Sequence, residues 1–332
     1  MMDARELLDP FERLLEDVAS PARVREIEAG APAGAMWEAF AESGFLDALV
    51  PEDAGGAGLA LSDVQPLLQA LGRHAVPVPV AETMVARALL APAGVAVPAG
   101  PIVLATLTGN RAIAVPVACL AEHALVQSGG TLVLAEVTDA ELGAKGVHHS
   151  LAADLCWANG PSGPSIAAPV VGLRPICAVL RAAAIAGAAD RLLGMSVAYA
   201  NERVQFGKPI GKQQAIQQQL AVMAEQAAAA RIAAQIGCSA GFPPAPAQAA
   251  TAKQVTSSAA VQIANIAHAV HGAIGMSEEY DLQLYSRRLH EWRLADGSEG
   301  YWATLLGSQR LGADISTVDF VRLRIEQVEP AA

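Results

Sequence analysis

Arg203-Val204-Gln205-Phe206-Gly207-Lys208-Pro209-Ile210 sets a guanidinium, an aromatic ring and two chain breakers side by side. The guanidinium is a planar fork of donors suited to phosphate, and the ring offers a flat apolar face. Gly207 and Pro209 read as the stop of a preceding helix. The same residues also fit a helix-end arginine that satisfies carbonyls beside a core phenylalanine. A second group is Asp296-Gly297-Ser298-Glu299. Asp296 could act as a proton acceptor, yet Asp-x-x-Glu ahead of a helix is equally a capping box. The third is His271-Gly272-Ala273-Ile274-Gly275. Its glycines permit close backbone approach to a ligand, or a left-handed helix-ending turn. His271 by itself reads as a packed or hydrogen-bonded histidine.

These groups need helices to hold them. Apolar residues recur at 4-3-4-3 spacing through Ile185, Ala189, Leu192, Ser196 and Tyr199, and again through Ile216, Leu220, Met223, Ala227 and Ala230. Val255, Ala259, Gln262, Ile266 and Val270 mark a third helix, and a fourth follows Asp296. Their Ala-rich faces predict a closely packed antiparallel bundle. Residues 1–92 also read as helices, with a Gly-rich reversal at Val50–Leu59 in a helix–loop–helix context, not a phosphate-cradling one. Between these parts, Ile102–Leu107, Ala112–Val117, Ala124–Gln127 and Thr131–Val137 are short β-prone runs, with a hairpin turn at Gly129-Gly130. Of the 332 residues 53% are hydrophobic but only 4% aromatic, so small and aliphatic side chains must build the core. The net charge of -11 argues against nucleic acid and anionic membranes as partners. No run approaches roughly 18 apolar residues and the N-terminus is acidic, so membrane insertion is not expected and a cytoplasmic location is. The four cysteines, widely spaced, read as buried thiols, and the sequence suggests no metal site.

The order of helices, β unit and bundle, together with RxQFGKPI, VPEDAGGAGL and HGAIG, resembles the acyl-CoA dehydrogenase family of flavoproteins. That resemblance implies an α+β, mostly α fold. It has an N-terminal helical domain (1–100), a shortened middle β domain (101–174) and a C-terminal four-helix bundle (175–325). It implies FAD as cofactor and an acyl-CoA thioester as substrate. Arg203 would meet the FAD pyrophosphate and Phe206 its adenine end, on a flavin held by the neighbouring subunit. Gln214 matches a glutamine that follows that motif, unless it only caps backbone. Gly272 and Gly275 match the family's QxHGGxG turn, although Ala269 replaces its glutamine and Ala273 its second glycine.

Other family features are missing. Asp296 stands where many members place a glutamate base, one methylene shorter, and proton abstraction is sensitive to misplacement of about 1 Å. A second family position for the base falls in Pro175–Val179, where there is no carboxylate and Cys177 is no substitute. The flavin-contacting T-E-P…G-S-D and W-[IS]-[TS] stretches are absent from residues 100–175, and Trp157 lies in a different context. The pattern resembles the less catalytic, shorter subunit of bacterial α2β2 enzymes that act on steroid-derived CoA thioesters, with the base on a homologous partner chain. Two alternatives stay open: a self-sufficient homo-oligomer using Asp296, and a flavin-free structural or regulatory relative.

Overall fold

The computed structural model describes residues 4–146 and 148–326. The chain opens with five helices: α1 (Ala4–Val18), α2 (Pro21–Glu28), α3 (Gly34–Glu42), α4 (Leu61–Arg73) and α5 (Val80–Leu90). Local chemistry sets their ends. Ser20 Oγ accepts from the Arg23 amide at the start of α2, where Pro21 occupies the first helical position. The Val50–Leu59 reversal folds onto itself: the Gly58 amide donates to Val50 O (2.8 Å) and the Leu59 amide to Ala48 O (3.0 Å). A Cβ at Gly56 would collide with the Val50 carbonyl, so the loop is a tight chain reversal between α3 and α4.

The strands are β1 (Ile102–Thr106), β2 (Arg111–Val115), β3 (His123–Ser128), β4 (Thr131–Glu136), β5 (Glu141–Lys145), β6 (Ala153–Cys156) and β7 (Ser165–Ala167). One sheet runs β1-β3-β4-β7, with β1 and β3 parallel and the other pairs antiparallel; the second runs β2-β6-β5. The Gly129-Gly130 hairpin forms as the sequence predicts, with Ser128 opposite Thr131. β5, β6 and β7 carry little β-branched signal, and pairing to neighbours makes them strands. The sheets share a core of Val103, Val126, Leu155 and the buried Trp157.

Next comes α6 (Leu173–Glu202), then a small hairpin of β8 (Val204–Gln205) and β9 (Lys208–Pro209), then α7 (Gln214–Cys238), α8 (Pro246–His271), α9 (Leu282–Leu294), α10 (Glu299–Leu311) and α11 (Thr317–Phe320). The four-helix expectation gains a member: α9 lies between the third and fourth predicted helices and packs Leu282, Leu284, Leu289 and Trp292 into the bundle core. The N-terminal half of α6 is buried on nearly every side, because α4 crosses it closely. Two glycines permit that crossing. A Cβ on Gly72 would meet the Ala184 backbone, and one on Gly187 would meet the Gln69 carbonyl.

Candidate functional site

At one end of the bundle, the ends of α6 and α8 and the start of α7 enclose an open cleft. Tyr199, Arg203, Gln205, Gln213, His271 and Gly272 are among its lining residues. Arg203 is the last residue of the α6 turn pattern, and its amide donates to Tyr199 O (2.8 Å). The helix therefore stops before Gly207 and Pro209, which correct the expected role of helix breakers. Phe206 and Gly207 both have positive φ (54° and 76°) and form the two-residue turn of the β8–β9 hairpin. That turn pushes the Phe206 ring into solvent, 92% exposed, so it is not a core phenylalanine. Arg203 is exposed as well, with its guanidinium at the cleft.

The glycine turn supplies the opposite wall. Gly272 ends α8 at φ 61° and ψ -137°, a conformation open to glycine and strained for other residues, and not the left-handed helical cap. Gly275 is needed for another reason: a Cβ there would lie 2.9 Å from Leu282 Cδ2 and 3.0 Å from His271 Cβ. His271 stacks on Tyr199 (ring centroids 4.5 Å) and its Nδ1 lies 2.8 Å from Ala267 O. Burial holds its imidazole below the ordinary histidine range, which favours the neutral form. Nδ1–H then donates to the carbonyl, which leaves the buried Nε2 as an acceptor with no hydrogen-bond partner in the described residues. Gln213, not Gln214, is the cap residue of α7 and lines the cleft; Gln214 is exposed at the first helical position.

The carboxylate region is built differently from its sequence reading. Asp296 does not cap α10. Ser298 does, with Oγ accepting from the Tyr301 amide, while Glu299 pairs with Arg293 and is held below the usual carboxylate range by it. Asp296 sits at φ 59° and turns its carboxylate toward Arg181 of α6 (Oδ2 to Nε 3.6 Å). The Arg181 guanidinium also pairs with Glu82 of α5, and all three groups are largely removed from solvent. Lys253 of α8 completes the set. It is fully buried and its ammonium donates to Arg293 O (2.9 Å), Gly297 O (2.9 Å) and Ser257 Oγ (3.1 Å). Burial brings Lys253 down to about 7, against the opposing pull of Asp296. Burial raises the Asp296 carboxyl despite Arg181 and Lys253. The two buried acids thus share the Arg181 guanidinium, with Lys253 acting on Asp296 from nearby, as a low-dielectric interior favours. Cys177 is buried nearby, and burial pushes its thiol far up, which removes it as a base.

Sequence reasoning missed Glu82, Arg181 and Lys253. A signal existed: Arg181 is the lone charge in the run Ile176–Ala189. The space above this cluster, among Leu68, Val78, Glu82, Arg181, Arg288 and Trp292, is a cavity of only about 60 Å³. Glu28 of α2 pairs there with Arg287 and Arg288 of α9.

A family model for the acyl-CoA dehydrogenase N-terminal domain matches residues 2–95, and one for the C-terminal domain matches residues 178–309. The chain is 31% identical to acyl-CoA dehydrogenase IpdE2 of Mycolicibacterium smegmatis, over 87% of this chain and 93% of that protein. It is 32% identical to acyl-CoA dehydrogenase IpdE2 of Mycobacterium tuberculosis, over 82% and 86%. Its fold is similar to a chain of the ChsE4-ChsE5 complex from Mycobacterium tuberculosis, with a TM-score of 0.81 at 21% identity, covering 95% of this chain and 99% of that one. It is also similar to a chain of the Tcur3481-Tcur3483 steroid ACAD, with a TM-score of 0.79 at 24% identity, covering 92% and 97%. Among the described residues no helix is long and apolar enough to cross a membrane. With sequence likeness along most of its length and the fold to match, the chain belongs to the acyl-CoA dehydrogenase family of FAD-dependent flavoproteins.

Proposed function

We propose that this chain is the non-catalytic subunit of a heteromeric, cytoplasmic acyl-CoA dehydrogenase, composed of units 1–100, 101–174 and 175–325. A homologous partner would supply the base. The observation that carries this reading is the state of Asp296: at the family's base position, the carboxylate is engaged by Arg181 and balanced by Lys253. The cavity lined by its partner Arg181 and by Glu82, about 60 Å³ and walled by ion pairs, is smaller than an acyl chain or a flavin ring needs.

The cleft at the bundle end does fit part of FAD. Arg203 offers a donor fork for pyrophosphate, and Gln205 and Gln213 offer amide groups. The glycine turn lets backbone come close, and the neutral His271 Nε2 can accept from a hydroxyl or amine. The exposed Phe206 extends a ring outward, where a neighbouring subunit's cofactor would lie. When bound there, FAD would supply the acceptor for reducing equivalents removed from the substrate, and this chain's residues would hold its diphosphate. Retention of this cleft supports the shared-FAD reading over a flavin-free relative. Similarity to the Tcur3481-Tcur3483 steroid ACAD supports a steroid-derived acyl-CoA as substrate.

Flavin content tests the proposal. The chain purified alone should carry little FAD, and a complex with a longer homologous partner should be yellow. A stoichiometric flavin spectrum from the lone chain would overturn it and favour the homo-oligomer using Asp296.

A further inference from the structure

We propose that His148, His149 and Glu278 bind a borderline divalent cation, zinc above all, which ties the β unit to the helical bundle. His148 and His149 lie in the loop between β5 and β6, and Glu278 lies between the glycine turn and α9. One ligand atom from each residue lies within 4.8 Å of the other two. His148 Nε2 is 2.9 Å from Glu278 Oε1. Tetrahedral zinc with bonds of about 2.0–2.1 Å sets its ligands about 3.3 Å apart, so small side-chain shifts suffice.

Two features point to a cation rather than a surface ion pair. An exposed His–Glu pair contributes little by itself and has no use for a second imidazole. Here the two adjacent rings lie close together (centroids 3.7 Å, planes tilted by 51°), with His149 held at φ 61°, in the left-handed region. Neighbouring side chains on an extended strand would instead point to opposite faces. The loop is also anchored: Arg287 Nη1 donates to His148 O (2.8 Å), and Ser150 Oγ pairs with Glu291.

The donor set favours a borderline divalent cation over a hard one. Two imidazoles and one carboxylate are the three-protein-ligand pattern of zinc, with water in the fourth position. Magnesium and calcium need more oxygen ligands than this site offers. The cation would join segments 130 residues apart in sequence, and binding only the folded state would stabilise that junction. The site lies outside the Arg203 cleft, so the inference does not depend on the cofactor reading.

The test uses the tag-free, full-length chain stripped with chelator. Titration with zinc chloride should show one zinc per chain by calorimetry and a rise in Tm that EDTA reverses. Magnesium or calcium chloride should produce neither. His148→Ala and Glu278→Ala should each weaken zinc binding at least tenfold, measured where circular dichroism shows both variants folded as the parent. These side chains are exposed, so folding should persist. Absence of saturable binding would overturn the proposal. So would zinc binding that both variants retain, since the metal would then sit on other histidines or on the cysteines.

Discussion

Arg181→Met removes the cation that two buried carboxylates share. At 3.6 Å and an effective dielectric of about 20, its attraction for Asp296 alone is about 4–5 kcal/mol. The cost has a ceiling, because a stranded carboxyl can take up a proton. For a glutamate of ordinary pKa about 4.3, protonation at pH 7 costs about 3.7 kcal/mol. Lys253 still faces Asp296 in the variant, so Glu82 is the group left uncompensated. The expected loss at pH 7 is therefore about 3–4 kcal/mol, within the range for removing one partner of a buried pair. With about 2.1 cal/mol/K per residue of unfolding entropy, that is a fall in Tm of about 5 °C. The pH dependence follows from the proton. The folded variant holds one proton more than its unfolded chain between pH about 4.3 and the raised carboxyl pKa. Its stability relative to the parent thus falls as pH rises, by about 1.4 kcal/mol per unit. The deficit should be about 1 kcal/mol at pH 5 and full at pH 7. Urea denaturation of both proteins at pH 5, 6 and 7 measures it. A deficit below about 1 kcal/mol at pH 7, or one equal at pH 5 and pH 7, would refute a buried, charge-balanced cluster.

Arg203→Ala should weaken FAD retention in the assembled complex by about 1.5–3 kcal/mol, the usual worth of a hydrogen bond to a charged group, with Tm unchanged because the side chain is exposed; flavin release by dialysis reads it, and unchanged retention with a lower Tm would assign Arg203 to structure alone. Asp296→Asn should leave turnover of an acyl-CoA by the FAD-loaded complex within a few-fold of the parent; a loss of about 10²-fold or more would make Asp296 the base. Gly187→Ala should cost about 1–3 kcal/mol in denaturant unfolding, because the added methyl meets the Gln69 carbonyl and α4 must move off α6. A neutral result would show that the two helices are not in such close contact.

The order of helices, strands and helices was legible because it rests on local periods. Alanine-rich 4-3-4-3 repeats bury one helix face wherever they lie, and Gly129-Gly130 makes a hairpin between flanking β-prone runs whatever surrounds it. The Arg203 and Gly272 strings stood out for the same reason, each being short and contiguous, although the helix ends ahead of Gly207 and Pro209 and Gly272 is not a left-handed cap. Tertiary structure decided what those strings face. It brought the end of α6 and the end of α8 to one cleft, and it made the Phe206-Gly207 turn a hairpin that holds the ring in solvent. It also settled the acidic turn. Asp-x-x-Glu spelled a cap, but Ser298 took the cap because Asp296 is drawn to Arg181 and Glu299 to Arg293. Glu82, Arg181, Lys253 and Asp296 come from α5, α6, α8 and the turn before α10. No local pattern encodes their meeting, since a charge pair depends on distance in space and buried charges must find opposite partners wherever the fold delivers them.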